Sequence, residues 1–253
     1  MSGWMLLPLL VLFLAGGVPI GIFLQRYHIP GRVLRRLSYL SASARISIAG
    51  PQAGLATLTV RGFQHADDPK QAGTERDGRH VSYTLDVAPS ELALILIDVW
   101  SDHPLKGWAK RAEKNVAAKL LPLVESARKH GILIVHCPHG ESPHPLVRPL
   151  TTELVLDGHG EKTRLVQALR QKGIRRLLYA GYASNMCVLT RPVGIIEMSR
   201  KGYDVIFVRD ASLAIETPDF LERDLTHQVA TYMVETNWGV STSVDDVLEA
   251  LES

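Results

Sequence analysis

From residue 91 onward the chain repeats one pattern, and that pattern sets the fold: a short unbroken apolar run, a stretch with helical spacing, then another apolar run. Leu92-Ala-Leu-Ile-Leu-Ile shows no polar alternation, as expected of a strand covered on both faces. Over residues 109–130, Ala112, Val116, Leu120, Leu123, Val124 and Ala127 fall on one helical face, and Gly131 is placed to end the helix. Ile132-Leu-Ile-Val is the next buried run. Further strands are predicted at Leu154-Val-Leu, Leu177-Leu-Tyr-Ala, Val205-Ile-Phe-Val and around Val240. Helices are predicted over 163–172, 185–201 and 220–236, and Ser243 with Asp246 reads as a capping box for a last one. Repeated strand–helix units point to an α/β class, a three-layer sandwich around a mostly parallel six-stranded sheet.

The part before residue 91 has a different character. No charged residue occurs from Met1 to Gln25, and Leu6 to Leu24 is almost continuously apolar, enough for a helix to cross about 30 Å of hydrocarbon. The basic residues Arg26, Arg32, Arg35 and Arg36 come after it, and no positive n-region precedes it. That asymmetry predicts an uncleaved transmembrane anchor over 1–25 with the rest of the chain on the cytoplasmic side. Residues 26–56 read as a basic linker. Alternating stretches at Thr57-Leu-Thr-Val-Arg and Val81-Ser-Tyr-Thr-Leu-Asp-Val predict a small β-hairpin extension over 57–90, leading into a main domain over 91–253.

Composition excludes several functions. Of 253 residues 46% are hydrophobic and 28 Lys+Arg face 26 Asp+Glu, so the chain has material for a core and no broad basic face for nucleic acid. With Cys137 and Cys187 as its two cysteines, it is no disulfide scaffold, and each thiol is a question of reactivity.

In an open parallel sheet the ligand crevice lies beyond the carboxyl ends of the strands. The residues to inspect there are Asp98, His136-Cys137-Pro-His139, Gly181 through Cys187, and Asp210. Asp98 ends an aliphatic strand, where a carboxyl group must be paired or open to a cleft, or serve as a helix cap. Cys187 is placed in the first turn of a helix, where the dipole lowers a thiol pKa and free N–H groups can hold an oxyanion. The competing reading is a small packed residue.

Three stretches taken together resemble the isochorismatase-like cysteine hydrolase family, which includes nicotinamidases and N-carbamoyl amidohydrolases: Leu96-Ile-Asp98, Gly181-Tyr-Ala-Ser-Asn-Met-Cys187-Val, and Gly202-Tyr-Asp-Val-Ile-Phe-Val-Arg-Asp210-Ala. Ser184 stands where the family usually has Thr. The resemblance implies a thioester mechanism on a small amide or related C–N bond, with Cys187 as nucleophile and Asp98 as general base. It implies an oxyanion hole of the Ala183 and Cys187 backbone N–H groups, with a cis peptide at Tyr182–Ala183. The family's third member is a lysine after the third strand, and Lys162 is the nearest candidate, with Arg191 as another cation. Trp100, Tyr182, His139 and Arg191 are the expected pocket residues, and a homo-oligomer is a family habit.

Two further readings stand beside this one. Nicotinamidase-like members bind a divalent metal, and His136, His139, Glu141, His144 and His159 lie in the corresponding region. Their spacing departs from the family's D-x-H, so the expectation is no cofactor, with a metal-assisted amidase as the alternative. A chain that kept the fold and lost the lysine would be a weak or silent membrane-tethered binding protein. Neither a Gly-rich nucleotide turn nor G-x-S-x-G is present. The partners expected are a small amide substrate and a membrane, with no nucleic acid.

Overall fold

The computed structural model describes residues 54–65, 74–158 and 160–253. The expected anchor over 1–25 and nearly all of the basic linker lie outside these residues. Among the described residues no helix is long and apolar enough to cross a membrane.

The sheet has eight strands, in the order β2-β1-β8-β7-β6-β3-β4-β5. They are β1 (Ala56–Gln64), β2 (Arg79–Val87), β3 (Leu92–Ile97), β4 (Leu133–Cys137), β5 (Leu154–Val155), β6 (Arg176–Tyr182), β7 (Asp204–Leu213) and β8 (Gly239–Thr242). Strands β3 to β8 pair in parallel, as the apolar runs predict. The six-strand count is corrected: the hairpin is no separate appendage, because β1 pairs antiparallel with β8 through Arg61 and Ser241 and extends the same sheet. Its alternation explains this, since Ala56, Leu58 and Val60 are buried against one face of the sheet.

Alternation along β3 divides the core. Leu92, Leu94 and Leu96 point to one face, where they meet α1 (Lys106–Asn115), α2 (Leu121–Lys129) and α7 (Val244–Glu252). Ala93, Ile95 and Ile97 point to the other, against α3 (Glu161–Gln171), α4 (Cys187–Thr190), α5 (Ile195–Arg200) and α6 (Leu225–Asn237). Every residue of β3 is therefore buried, which is why that run carries no polar side chain until Asp98.

Two long helices differ from their expected form. The one expected over 109–130 starts at Lys106 and contains a π turn at Val116–Leu120 before ending at Lys129; Pro122, with no N–H to give the preceding turn, sits just after it. The helix expected over 185–201 is broken into α4 and α5. Pro192 accounts for the break: the residue before a proline avoids the helical region, and Arg191 is extended at φ −60° and ψ 158°. The capping box at Ser243 and Asp246 forms as expected and opens α7.

Candidate active site

Strands β3 and β6 are neighbours in register, Ile97 opposite Gly181, so the residues that follow them emerge side by side at the carboxyl edge of the sheet. Asp98 comes directly after β3 in a left-handed conformation, φ 48°, which an aspartate tolerates better than most residues. Its N–H donates to Cys137 O at 3.1 Å, closing the turn against β4. Cys187 reaches the same place five residues beyond β6, at the start of α4. The two side chains come close enough for each to act on the other's ionisation, and the Asp98 oxygen not held by Arg191, Oδ2, is buried without a partner among the described residues.

The electrostatics of this pair differ from the sequence expectation. Burial and the hydrogen bond and charge of Asp98 push the Cys187 thiol up to about 11, against a smaller lowering by Arg191. The helix-start argument for a low thiol pKa fails here because α4 has a single turn and the nearest charge is a carboxylate. Asp98 is itself 2% exposed, and burial raises it above the ordinary carboxylate range despite its bonds to Cys187 and Arg191. Burial and closeness disfavour the charged form of each acid. At neutral pH Cys187 is therefore a thiol.

A cation faces the pair, and it is Arg191. The proline break turns the Arg191 side chain back toward the sheet, where Nη1 donates to Asp98 Oδ1 and Nη2 donates to Glu161 Oε1 at 3.3 Å. Lys162 is not brought to the pair. It lies on α3 with its ammonium on Glu197 Oε1 at 3.1 Å, and its side chain is 42% exposed. Glu161, one residue earlier, takes the buried position instead. Sequence reasoning missed Glu161, because an acidic residue in a first helical turn ordinarily reads as a partner of the helix dipole.

The backbone around Cys187 fits an anion. The Tyr182–Ala183 peptide is cis, and the Ala183 N–H donates to the Cys187 sulfur, which favours the thiolate. The turn's own backbone bonds, Met186 N–H and Val188 N–H to Ala183 O at 3.0 and 3.2 Å, spend the carbonyl of Ala183 and leave its N–H directed at the reacting atom. Cys137, by contrast, is 1% exposed and its thiol is pushed far up by burial, so it packs rather than reacts.

The expected pocket residues separate. Tyr182 is corrected: it is 1% exposed, its hydroxyl donates to Asn115 Oδ1 at 2.9 Å with Ala112 O also within reach at 3.2 Å, and it belongs to the core beneath α1. Its place at the end of β6 turns its side chain to the α1 face and away from Cys187. Trp100 is half-buried, its indole N–H donating to Pro138 O at 2.6 Å, and it clips the loop after β3 to the loop after β4. His139 sits at the mouth, its side chain 65% exposed and its Nδ1 3.7 Å from Glu161 Oε1.

The remaining candidates serve the scaffold. His136 Nε2 meets Glu153 Oε2 at 2.8 Å, and His144 Nε2 meets Glu113 Oε2 at 2.7 Å; His159 lies outside the described residues. These imidazoles point to different carboxylates, and among the described residues no group of three or more His, Cys, Asp or Glu is arranged to hold a metal ion. Asp210, expected at a strand end, lies within β7, where it accepts from Val244 N at 2.8 Å and pairs with Lys119 at 3.0 Å.

Comparison with known proteins gives the family and the fold. A family model of the isochorismatase domain matches residues 92–236, more than half of the chain. A cysteine hydrolase from Pseudomonas syringae pv. phaseolicola 1448A superposes with a TM-score of 0.56 at 15% identity, covering 66% of this chain and 94% of that one. An isochorismatase from Pseudomonas putida KT2440 gives 0.51 at 22% identity, over 62% and 90%. An isochorismatase family protein from Burkholderia thailandensis gives 0.51 at 20%, over 65% and 97%. At these identities the likeness is one of fold. No curated protein matches the chain.

Proposed function

The chain belongs to the isochorismatase family of hydrolases, and from that premise we propose that it cleaves a small amide or related C–N bond through a thioester on Cys187. The observation that carries this reading is the meeting of the Asp98 carboxyl group with the Cys187 thiol at the ends of neighbouring strands. Asp98 takes the thiol proton as the sulfur attacks the substrate carbonyl. The N–H groups of Ala183 and Cys187 receive the negative charge that develops on the carbonyl oxygen. The proton held on Asp98 then passes to the departing nitrogen as the C–N bond breaks, and water resolves the thioester. A thiol that ionises only on attack suits this order, because the nucleophile keeps its proton until the substrate arrives. Arg191 supports the developing negative charge where the family resemblance had pointed to Lys162.

Screening small amides with an acid quench and intact-mass measurement tests the proposal. A substrate that turns over should leave an acyl adduct on Cys187 that hydroxylamine removes, and Cys187→Ala should show neither adduct nor turnover. Full turnover in Cys187→Ala would overturn it. Absence of turnover and adduct across the panel would favour the silent binding protein. The proposal extends to an N-terminal anchor, supported by the uncharged stretch Met1 to Gln25 and the arginines that follow it. Full-length chain should stay with carbonate-washed membranes, and its recovery in the soluble fraction would remove the anchor.

A further inference from the structure

Glu161 opens α3 and is 6% exposed, yet the thioester chemistry asks for no second carboxyl group at this place. One oxygen, Oε1, accepts from Arg191 Nη2 at 3.3 Å and lies 3.7 Å from His139 Nδ1. The other, Oε2, is buried and has no hydrogen-bond partner among the described residues. Keeping a half-satisfied carboxyl group out of water is costly, so it calls for a reason. Arg191 supplies the context, since one prong of its planar fork reaches Asp98 and the other reaches Glu161.

We propose that Glu161 is a positioning residue of this site: by holding one prong of Arg191 it fixes the other on Asp98, and it neutralises enough of the guanidinium for Asp98 to remain a base. The inference rests on the roles given above to Asp98 and Cys187. A guanidinium committed to Asp98 alone would draw that carboxylate toward a permanent ion pair and weaken its hold on the thiol proton. Sharing between two carboxylates avoids this. The groups facing Glu161 are Arg191 from the loop after α4, His139 from the loop after β4, and Cys137 at the end of β4. Its neighbour Lys162 is turned to Glu197. The groups facing the Cys187 sulfur are Asp98, which raises the thiol, and Arg191 and the Ala183 N–H, which lower it.

The test reads the pH midpoint of iodoacetamide alkylation at Cys187 in the full chain, with the modified cysteine located by mass spectrometry and no substrate needed. Glu161→Gln keeps an acceptor for Arg191 and removes the charge, so more of the guanidinium acts on the pair. The midpoint should fall by roughly one pH unit. Glu161→Asp keeps the charge and should stay within about 0.3 unit of the wild type. Glu197→Gln, which takes away the partner of Lys162, should leave the midpoint where it is. A glutamine variant with an unchanged or higher midpoint, or an aspartate variant that falls as far as the glutamine one, would overturn the proposal. Thermal melting accompanies each variant. If Glu161→Gln is unfolded, Glu161→Met is read instead, since it fills the same buried place and likewise leaves the whole guanidinium charge to the pair; its midpoint should fall, and an unchanged or higher one counts against Glu161. Wild type that hydrolyses no amide yet gives these shifts removes the hydrolase reading alone, whereas amide turnover with unshifted midpoints removes Glu161 alone.

Discussion

Asp98→Asn should cut the turnover of any amide the wild type hydrolyses by about 10²- to 10⁴-fold, the usual worth of a positioned general base, while making Cys187 easier to ionise. The two effects run in opposite directions, and together they separate a proton acceptor from a residue that merely activates the thiol. In the wild type, burial together with the hydrogen bond and charge of Asp98 holds Cys187 up at about 11. Asparagine is near-isosteric and carries no charge, so the opposing pull of Arg191 goes unanswered and the thiol titrates at lower pH. The acid limb of the wild-type rate profile should lie above the ordinary carboxylate range, because burial raises Asp98: the base works only when deprotonated, so the rate climbs as pH rises through that raised value. Alkylation kinetics and turnover of Asp98→Asn across pH check both halves. Retained turnover, or a thiol midpoint above that of the wild type, would dismiss Asp98 as the base.

Gly181→Ala should cost about 3–5 kcal/mol of stability, combining overpacking with strain in a backbone region that side chains avoid. Gly181 has φ +111°, and a Cβ built there would lie 2.1 Å from Ile97 O and 2.9 Å from Ile97 N. Those atoms belong to the neighbouring strand, not to the end of a flexible side chain, so the only relief is to part β3 from β6. That parting occurs at the residue before Asp98, so the alanine chain that still folds should also lose contact between carboxylate and thiol. Gly173→Ala is the control: its φ is +69° but nothing lies within 4 Å of the built Cβ, which leaves only the conformational penalty of roughly 1 kcal/mol. Urea titration of both variants measures the difference. Equal midpoints would mean that the close approach of the two strands is not a constraint on the fold.

The apolar runs at Leu92, Ile132, Leu177 and Val205 were readable because a strand buried on both faces has no other composition open to it. Asp98 and Cys187 were readable because the parallel sheet delivers strand ends to one edge, whatever the helices do. What escaped was anything that depends on where a side chain points after the chain turns. Lys162 and Glu161 are adjacent, and the family resemblance made the lysine the nearest candidate for the cation; the structure buries the glutamate and leaves the lysine on Glu197. Arg191 was visible as a cation near the cysteine, but its return to Asp98 depends on the break at Pro192, which helical periodicity over 185–201 passes over. Tyr182 shows the same limit, because strand alternation sends it to the face opposite the thiol.

The strand pair β1 and β2 has a consequence for solubility. It continues the sheet beyond β8, a strand of four residues whose outer edge would otherwise present free amide and carbonyl groups to any passing chain. The strand that ends the sheet in its place is β2, whose Arg79 and His80 are exposed and whose side chains alternate with polar residues throughout, a poor template for further pairing. Leu58 and Val60 meanwhile seal apolar surface beside α7. Shortening the chain to begin at Leu92 would therefore strip a guard from the sheet, and the resulting fragment would be inclined to stack edge to edge with its own copies.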